Sequence, residues 1–317
     1  MSRQLPTYAY FEGDIVPFEQ ATVSVMNHTL NYGTGAFGGI RGYWNEDKEQ
    51  LFVFRPLEHF TRFLNSAKLL SFELDYTPES LWKILLELLR KEEWKTNVYI
   101  RPLAYVKNSL IGVRLHDLEY GVTMFSLPFG SYVDDETGCS VTISSWRRVD
   151  DNSIPARGKL TGSYVNSAFI KTDAQRAGFT EALVLNQDGH IAEGSAENFF
   201  MVRNGIVYTP PITANILEGI TRRTVIDLMR DEIGLQVEER NIDRSEVYLA
   251  DEAFFCGTGV QIAAITSVDH RPIGTGEMGP VVSELRDLYF GVVTGHNPKY
   301  RHWNVPVYEE IPTTTRS

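Results

Sequence analysis

The chain has 317 residues, 43% hydrophobic and 12% aromatic, enough to build a large core and to exclude a disordered or low-complexity protein. Thirty lysines and arginines against 41 acidic residues leave a net charge of −11 with no basic stripe, so nucleic acid is not an expected partner. Cys139 and Cys256 are too few for a disulfide framework and lack metal-ligand spacing. With no signal-peptide pattern at the N-terminus, a cytoplasmic protein of about two domains is expected, and no metal.

In chain order, Tyr8 onward reads as a hairpin turning at Glu12-Gly-Asp14, and residues 51–54 as a short strand ending at Arg55-Pro56. Leu57, Phe60, Leu64, Ala67 and Leu70 recur at helical spacing. Thr77-Pro78 opens a second helix that buries Leu81, Leu85, Leu88 and Leu89. Its apolar run, broken by Lys83 and Glu87, is too short to span a membrane. Residues 98–106 and 122–127 read as strands. The polar stretch after Tyr132 is the expected linker, which gives a small domain over 1–133, an interdomain loop over 134–139 and a larger domain over 140–295.

In the second part, residues 141–146 form a strand, and a helix runs from about Ser163 until Gly178 stops it. Hairpins turn at Asn186-Gln-Asp-Gly189 and Asn204-Gly205, and a helix begins at Gly219-Ile-Thr221. Two late strands flank Gly257-Thr-Gly259. Residues 296–317 read as a polar, poorly packed tail.

Of nine lysines, seven lie in helices, a charged turn or the tail, and Lys107 follows a strand. Lys159 differs, because Arg157-Gly-Lys-Leu-Thr-Gly162 surrounds it with small residues that admit a bulky ligand. Local context leaves two readings, a solvated loop lysine or a buried amine able to attack a carbonyl. Gly219-Ile-Thr221 at a helix start and Gly257-Thr-Gly259 between strands each read as a cap or turn, or as a nest for a phosphate. Glu238-Glu239 and Asp251-Glu252 read as surface charge. Seven scattered histidines show no zinc spacing.

Seven segments carry a resemblance in order: Asn31-Tyr-Gly-Thr-Gly-Ala-Phe37, Glu58-His-Phe-Thr-Arg62, Tyr99-Ile-Arg-Pro102, Lys159 to Tyr164, Glu193-Gly-Ser-Ala-Glu-Asn198, Leu217-Glu-Gly-Ile-Thr-Arg222 and Gly257-Thr258. Together they resemble the fold-type IV pyridoxal-phosphate enzymes, most closely the branched-chain amino-acid aminotransferases. The fold this implies is α/β of the α+β type: a small α/β domain and a larger one with a β-barrel-like core and flanking helices. The implied reaction moves the amino group of leucine, isoleucine or valine to 2-oxoglutarate, giving branched 2-oxo acids and L-glutamate. The implied cofactor is pyridoxal 5′-phosphate.

By the same resemblance, Lys159 is the Schiff-base lysine and the base that moves the substrate proton. Glu193 faces the pyridine nitrogen, Tyr164 the phenolic oxygen, and Arg62, Leu217, Gly219, Ile220, Thr221, Gly257 and Thr258 form the rest of the cofactor site. Glu197 reads as a supporting partner. Phe37, Tyr99 and Tyr132 wall the substrate pocket, while Arg101, Thr258 and Gly259 meet carboxylates. Tyr32 and Val113 reach the partner's site across a homodimer or larger assembly. Three residues depart from the pattern. Gly38 replaces a glutamate and leaves space beside Phe37, Arg157 adds charge near Lys159, and Arg114-Leu-His116 is similar to a motif of D-amino-acid aminotransferases. The alternatives are a D-amino-acid or (R)-amine aminotransferase, or a lyase similar to aminodeoxychorismate lyase.

Overall fold

The opening hairpin folds about a turn that suits positive φ: β1 (Tyr8–Phe11) and β2 (Asp14–Pro17) pair around Glu12 at 51° and Gly13 at 100°. The computed structural model describes residues 5–130 and 137–308. Helix α1 (His28–Tyr32) is capped by the Asn27 side chain and closed by Gly33 in the left-handed region. Strands β3 (Ala36–Phe37), β4 (Ile40–Asn45) and β5 (Gln50–Phe54) follow.

Helix α2 (Pro56–Leu69) packs on α3 (Pro78–Glu92), whose N-terminus carries a reciprocal Thr77/Ser80 capping box. Strands β6 (Val98–Val106) and β7 (Tyr120–Pro128) complete this part. Alternation along β6 divides it sharply. Val98, Ile100 and Ala104 enter the core with Phe60, Phe63 and Leu85, while Tyr99 and Arg101 face the other way.

The second lobe begins with β8 (Cys139–Arg147) and α4 (Tyr164–Arg176). Strands β9 (Glu181–Leu185), β10 (Ile191–Gly194), β11 (Asn198–Arg203) and β12 (Ile206–Thr209) form the two expected hairpins. Helix α5 (Ile220–Leu228), strand β13 (Val237–Glu239) and short helix α6 (Arg244–Val247) lead to β14 (Glu252–Gly257), β15 (Gln261–Val268) and β16 (Arg271–Pro272). Helix α7 (Pro280–Val293) covers one face. Its Leu285 and Tyr289 pack in one core with Phe200, Phe254 and Val225.

Among the described residues the strands form two sheets. The second runs β10-β9-β8-β15-β14-β11-β12-β13, with β8 parallel to both neighbours and β16 on β15. The first has the order β17-β5-β4-β6-β7-β1-β2, with β3 also on β6, where β17 (Asn304–Pro306) is the last strand among the described residues.

That last strand corrects the expectation of a loose tail. Residues 296–308 cross back to the first sheet, pair with β5 and bury Tyr300 and Val307. The polar composition concealed residues that pack inward: Asn304 is buried, its Nδ2 donates to Val292 C=O at 2.6 Å, and its Oδ1 has no partner among the described residues. Glu252 is a second correction. It is not surface charge but a buried cap that accepts the N–H groups of Val281 and Val282 at the start of α7. The expected linker at 131–136, and with it Tyr132, lies outside the described residues.

Candidate active site

The two sheets and the N-terminus of α5 enclose a cavity of about 410 Å³, a volume suited to a cofactor-sized ligand. Lys159 is the only lysine among the described residues lining it. Its backbone is fixed on both sides: the N–H donates to Ser66 Oγ at 3.0 Å, and the C=O accepts the Phe37 N–H at 2.9 Å. The amine donates to the Tyr164 hydroxyl and lies 5.0 Å from the Phe37 ring centre. Burial and the Arg62 guanidinium hold the Lys159 ammonium down to about 8, so a neutral amine is within reach at mild pH. Burial, reinforced by Glu193, raises Tyr164 to about 12 and keeps its hydroxyl protonated.

Glu193 on β10 is buried and held from three directions. Arg148 pairs with one oxygen at 2.8 Å, and the Leu217 N–H and Asn198 Nδ2 each donate to the other at 3.1 Å. Burial raises its carboxyl above the ordinary carboxylate value, while Arg148 and the Leu217 N–H pull the other way. Removing one partner of such a pair would strand a buried charge. Asn198 also donates to Leu217 C=O at 2.9 Å, and its Oδ1 occupies the space a side chain at position 219 would need, so Gly219 is required there. Glu197 lines the same wall. Burial and the neighbouring Glu181 raise its carboxyl to about 8.

The opposite end forms an anion cup. The backbones of Ile220 and Thr221 open α5, Gly257 and Thr258 close the turn between β14 and β15, and Arg62 enters from α2. The Arg62 guanidinium donates to Glu218 C=O at 3.3 Å and forms no ion pair with a described residue. Burial pulls its pKa down, and an anion bound in the cup would pair with it. A phosphorylated pyridine ring fits this arrangement: a cup at one end, a carboxylate at the other and an amine between.

The remaining wall is substrate-sized and mostly apolar. Arg101 and Tyr99 alternate on β6, and their cross-strand partners Phe125 and Leu127 on β7 line the same face. Arg101 lies 4.6 Å from the Phe37 ring centre and donates to Tyr99 Oη at 3.0 Å, while its Nε is buried without a partner among the described residues. Gly38 does not open the space expected beside Phe37, because a Cβ there would sit 2.6 Å from the Pro102 ring.

Lys159, Arg62, Tyr164, Glu193, Leu217, Gly219, Ile220, Thr221, Gly257, Thr258, Phe37, Tyr99, Arg101 and Gly259 thus share one cavity. Tyr32 and Val113 do not line it. Tyr32 accepts the Gly112 N–H at 3.1 Å, and Val113 is 75% exposed. Arg114 and His116 are exposed on the same loop, and Arg157 is engaged with Asp151 and Glu218.

Phe125 and Leu127 on β7 escape the sequence reading of the site, and so do four polar contributors. Arg148 follows a strand in an Arg-Arg pair, Ser66 sits inside a helix, and Asn198 lies in a motif without an assigned role. Arg41 on β4 is buried and donates to the carbonyls of Gly259, Phe129 and Gly130, joining the lobes beside the Gly257–Gly259 turn. The only signal for any of them is proximity to a motif.

Residues 35–268 match the family described as amino-transferase class IV. A probable branched-chain-amino-acid aminotransferase of Aquifex aeolicus (strain VF5) is 46% identical over 303 residues, 96% of this chain and 97% of that protein. The crystal structure of the branched-chain aminotransferase of Thermoproteus uzoniensis with norvaline superposes with a TM-score of 0.92 at 40% identity, covering 96% of this chain and all of that one. The branched-chain amino acid aminotransferase of Thermobaculum terrenum in its PLP form also gives 0.92, at 37% identity, covering 97% of this chain and all of that one.

Proposed function

The chain belongs to the class IV amino-transferase family, and we propose that it transfers the amino group of branched-chain L-amino acids to 2-oxoglutarate with pyridoxal 5′-phosphate. The observation that carries this reading is the placement of the Lys159 amine between a carboxylate backed by arginine and an anion cup, beside an apolar wall. When bound, the cofactor supplies an electron sink for the charge left on the substrate's Cα.

Arg62, the Ile220–Thr221 backbone and Thr258 would hold the phosphate, and Glu193, paired with Arg148, would face the ring nitrogen and favour its protonated form. Tyr164 holds the phenolic oxygen. With its pKa lowered to about 8, the Lys159 amine would be available as the base that takes the proton from the substrate's Cα. Phe37, Tyr99, Phe125 and Leu127 exclude water from a branched side chain, each buried methylene contributing about 0.8 kcal/mol. Arg101 offers its charge to the distal carboxylate of glutamate or 2-oxoglutarate, so one pocket serves both halves of the reaction.

The partner is a second copy of this chain. Support comes from a cluster of exposed apolar side chains on two joined segments, Val25 and Leu30 around α1 and Ile111 and Val113 on the loop bonded to it. Such a patch is unusual on a surface facing water. In the dimer Tyr32 and Val113 complete the neighbour's pocket. Light scattering should give at least twice the chain mass for the active species, and activity in a single-chain particle would refute the arrangement. We also assign the enzyme to the cytoplasm, where two buried cysteines outside any disulfide match the reducing conditions; fractionation tests this.

The test of the reaction is the first half-transfer, followed by cofactor absorbance with L-leucine and D-alanine side by side. L-Leucine should convert faster. Faster conversion of D-alanine would overturn the substrate assignment and bring Arg114 and His116 into the site.

A further inference from the structure

The chain on the two sides of Lys159 is anchored very differently. Downstream, residues 159–162 are zipped to the α1–β3 segment: Phe37 N–H donates to Lys159 C=O, Thr161 N–H to Gly35 C=O at 2.8 Å, and Gly162 N–H to Gly33 C=O at 3.0 Å. The Thr161 hydroxyl adds a bond to Gly33 C=O at 2.6 Å. Upstream, the backbone bonds are mostly local, with Asp151 N–H donating outward to Asn215 Oδ1 at 3.2 Å and Ile154 packed on the first core. Ala156 N–H donates to the Asp151 carboxylate, Gly158 N–H donates to Pro155 C=O, and the Arg157 side chain is half exposed on its two acidic partners.

Between these halves stands one hydroxyl. Ser66 on α2 is 1% exposed, donates to Arg62 C=O at 2.8 Å, and accepts the Lys159 N–H at 3.0 Å. The first bond is the common back-bond of a helical serine to the carbonyl four residues earlier. Because it uses the only hydroxyl hydrogen, the oxygen's lone pairs are left in a fixed direction, and Lys159 takes one of them. The residue that contributes the phosphate cation and the residue that contributes the amine are therefore two hydrogen bonds apart through a single buried atom.

We propose that Ser66 is a positioning residue for the reaction: its hydroxyl pins the backbone of Lys159 to the Arg62 turn of α2 and sets where the amine stands over the substrate's Cα. The proposal rests on the aminotransferase reading above. Arg62 and Thr221 hold the phosphate without help from this hydroxyl, so its loss should affect proton transfer and leave cofactor retention alone. Without this bond the Lys159 N–H has no anchor and the amine can shift, and misplacement of about 1 Å can cost up to 10²-fold.

The experiment uses holoenzyme and the stopped-flow half-reaction with L-leucine and with α-deuterated L-leucine. Ser66→Ala should slow the half-reaction about tenfold. It should also enlarge the deuterium isotope effect and retain cofactor through dialysis as the parent does. Ser66→Cys keeps the side chain's size with a longer, weaker sulfur acceptor and should fall between the two, which covers the case of an alanine variant that does not fold. Leu85→Ala, in the core of the first lobe away from the cavity, reports a purely structural loss and should keep the parent rate and isotope effect at a lower Tm. Parent rate and isotope effect in either Ser66 variant overturn the proposal. So does a slowed Ser66→Ala whose isotope effect is unchanged, or whose rate falls only as cofactor is lost. A parent enzyme that does not convert L-leucine would instead refute the proposed function.

Discussion

At the cofactor end of the cavity the wall groups are anchored by groups of the same chain: Glu193 by Arg148, Asn198 and the Leu217 N–H, and Lys159 by Ser66 and Phe37. At the substrate end, Arg101 rests on two aromatic rings with its Nε unpartnered among the described residues, and Tyr32 and Val113 face away from their own cavity. The difference separates two tasks. Electrostatic stabilisation works best when its groups are fixed before the reaction begins. A pocket that must accept both a branched aliphatic chain and a dicarboxylate needs an arginine whose charge is not already neutralised.

On that division, damage at the cofactor end should remove turnover, and damage at the substrate end should mainly alter preference. The largest effect is expected for Lys159→Ala: transamination falls below detection, and borohydride no longer fixes pyridoxal phosphate to the protein. Fixation at Lys107 or Lys171 would misassign the lysine. Glu193→Gln should bind cofactor yet slow the half-reaction by about 10²–10³-fold, read by stopped flow. Replacing Arg62 and Thr221 together by alanine should weaken cofactor retention by about 10²-fold in dialysis, with a smaller effect on chemistry in protein kept saturated. At the other end, Arg101→Leu should raise KM for 2-oxoglutarate about tenfold and KM for L-leucine far less, because one charge-assisted bond is at stake.

The mildest perturbation is pH. Burial lowers the Lys159 ammonium to about 8, so below that pH the protonated, unreactive form dominates. Capture of pyridoxal phosphate by cofactor-free protein should therefore rise with pH and level off above about 8. A profile still climbing toward the ordinary lysine value would mean that the amine is better solvated than the cavity indicates.

Legibility in the sequence follows the same division. Most of the cofactor end could be read because helix starts and strand turns announce themselves locally: Gly219 before α5 and Gly257 to Gly259 between β14 and β15 carry their geometry in their residue types. Lys159 stood out by its small neighbours. Arg148 and Ser66 did not, because an arginine after a strand and a serine in a helix are ordinary surface residues until tertiary closure brings Glu193 and Lys159 against them. Glu252 reads as surface charge for the same reason, since its role depends on α7, which carries no strong start signal beyond Gly279-Pro280. Gly38 shows the reverse error. A missing side chain suggested room, but Pro102 fills it.

The return of β17 to β5 has a consequence for how the protein is made. Strand β5 is buried at all five positions, and it lies inside the first sheet only because residues 304–306 cover its far edge. During synthesis about 250 residues separate the emergence of one partner from that of the other. Until then β5 presents an unpaired apolar edge, the kind of template on which nascent chains associate wrongly. A chain ending at residue 297 keeps that edge bare permanently and should aggregate more readily than the full chain.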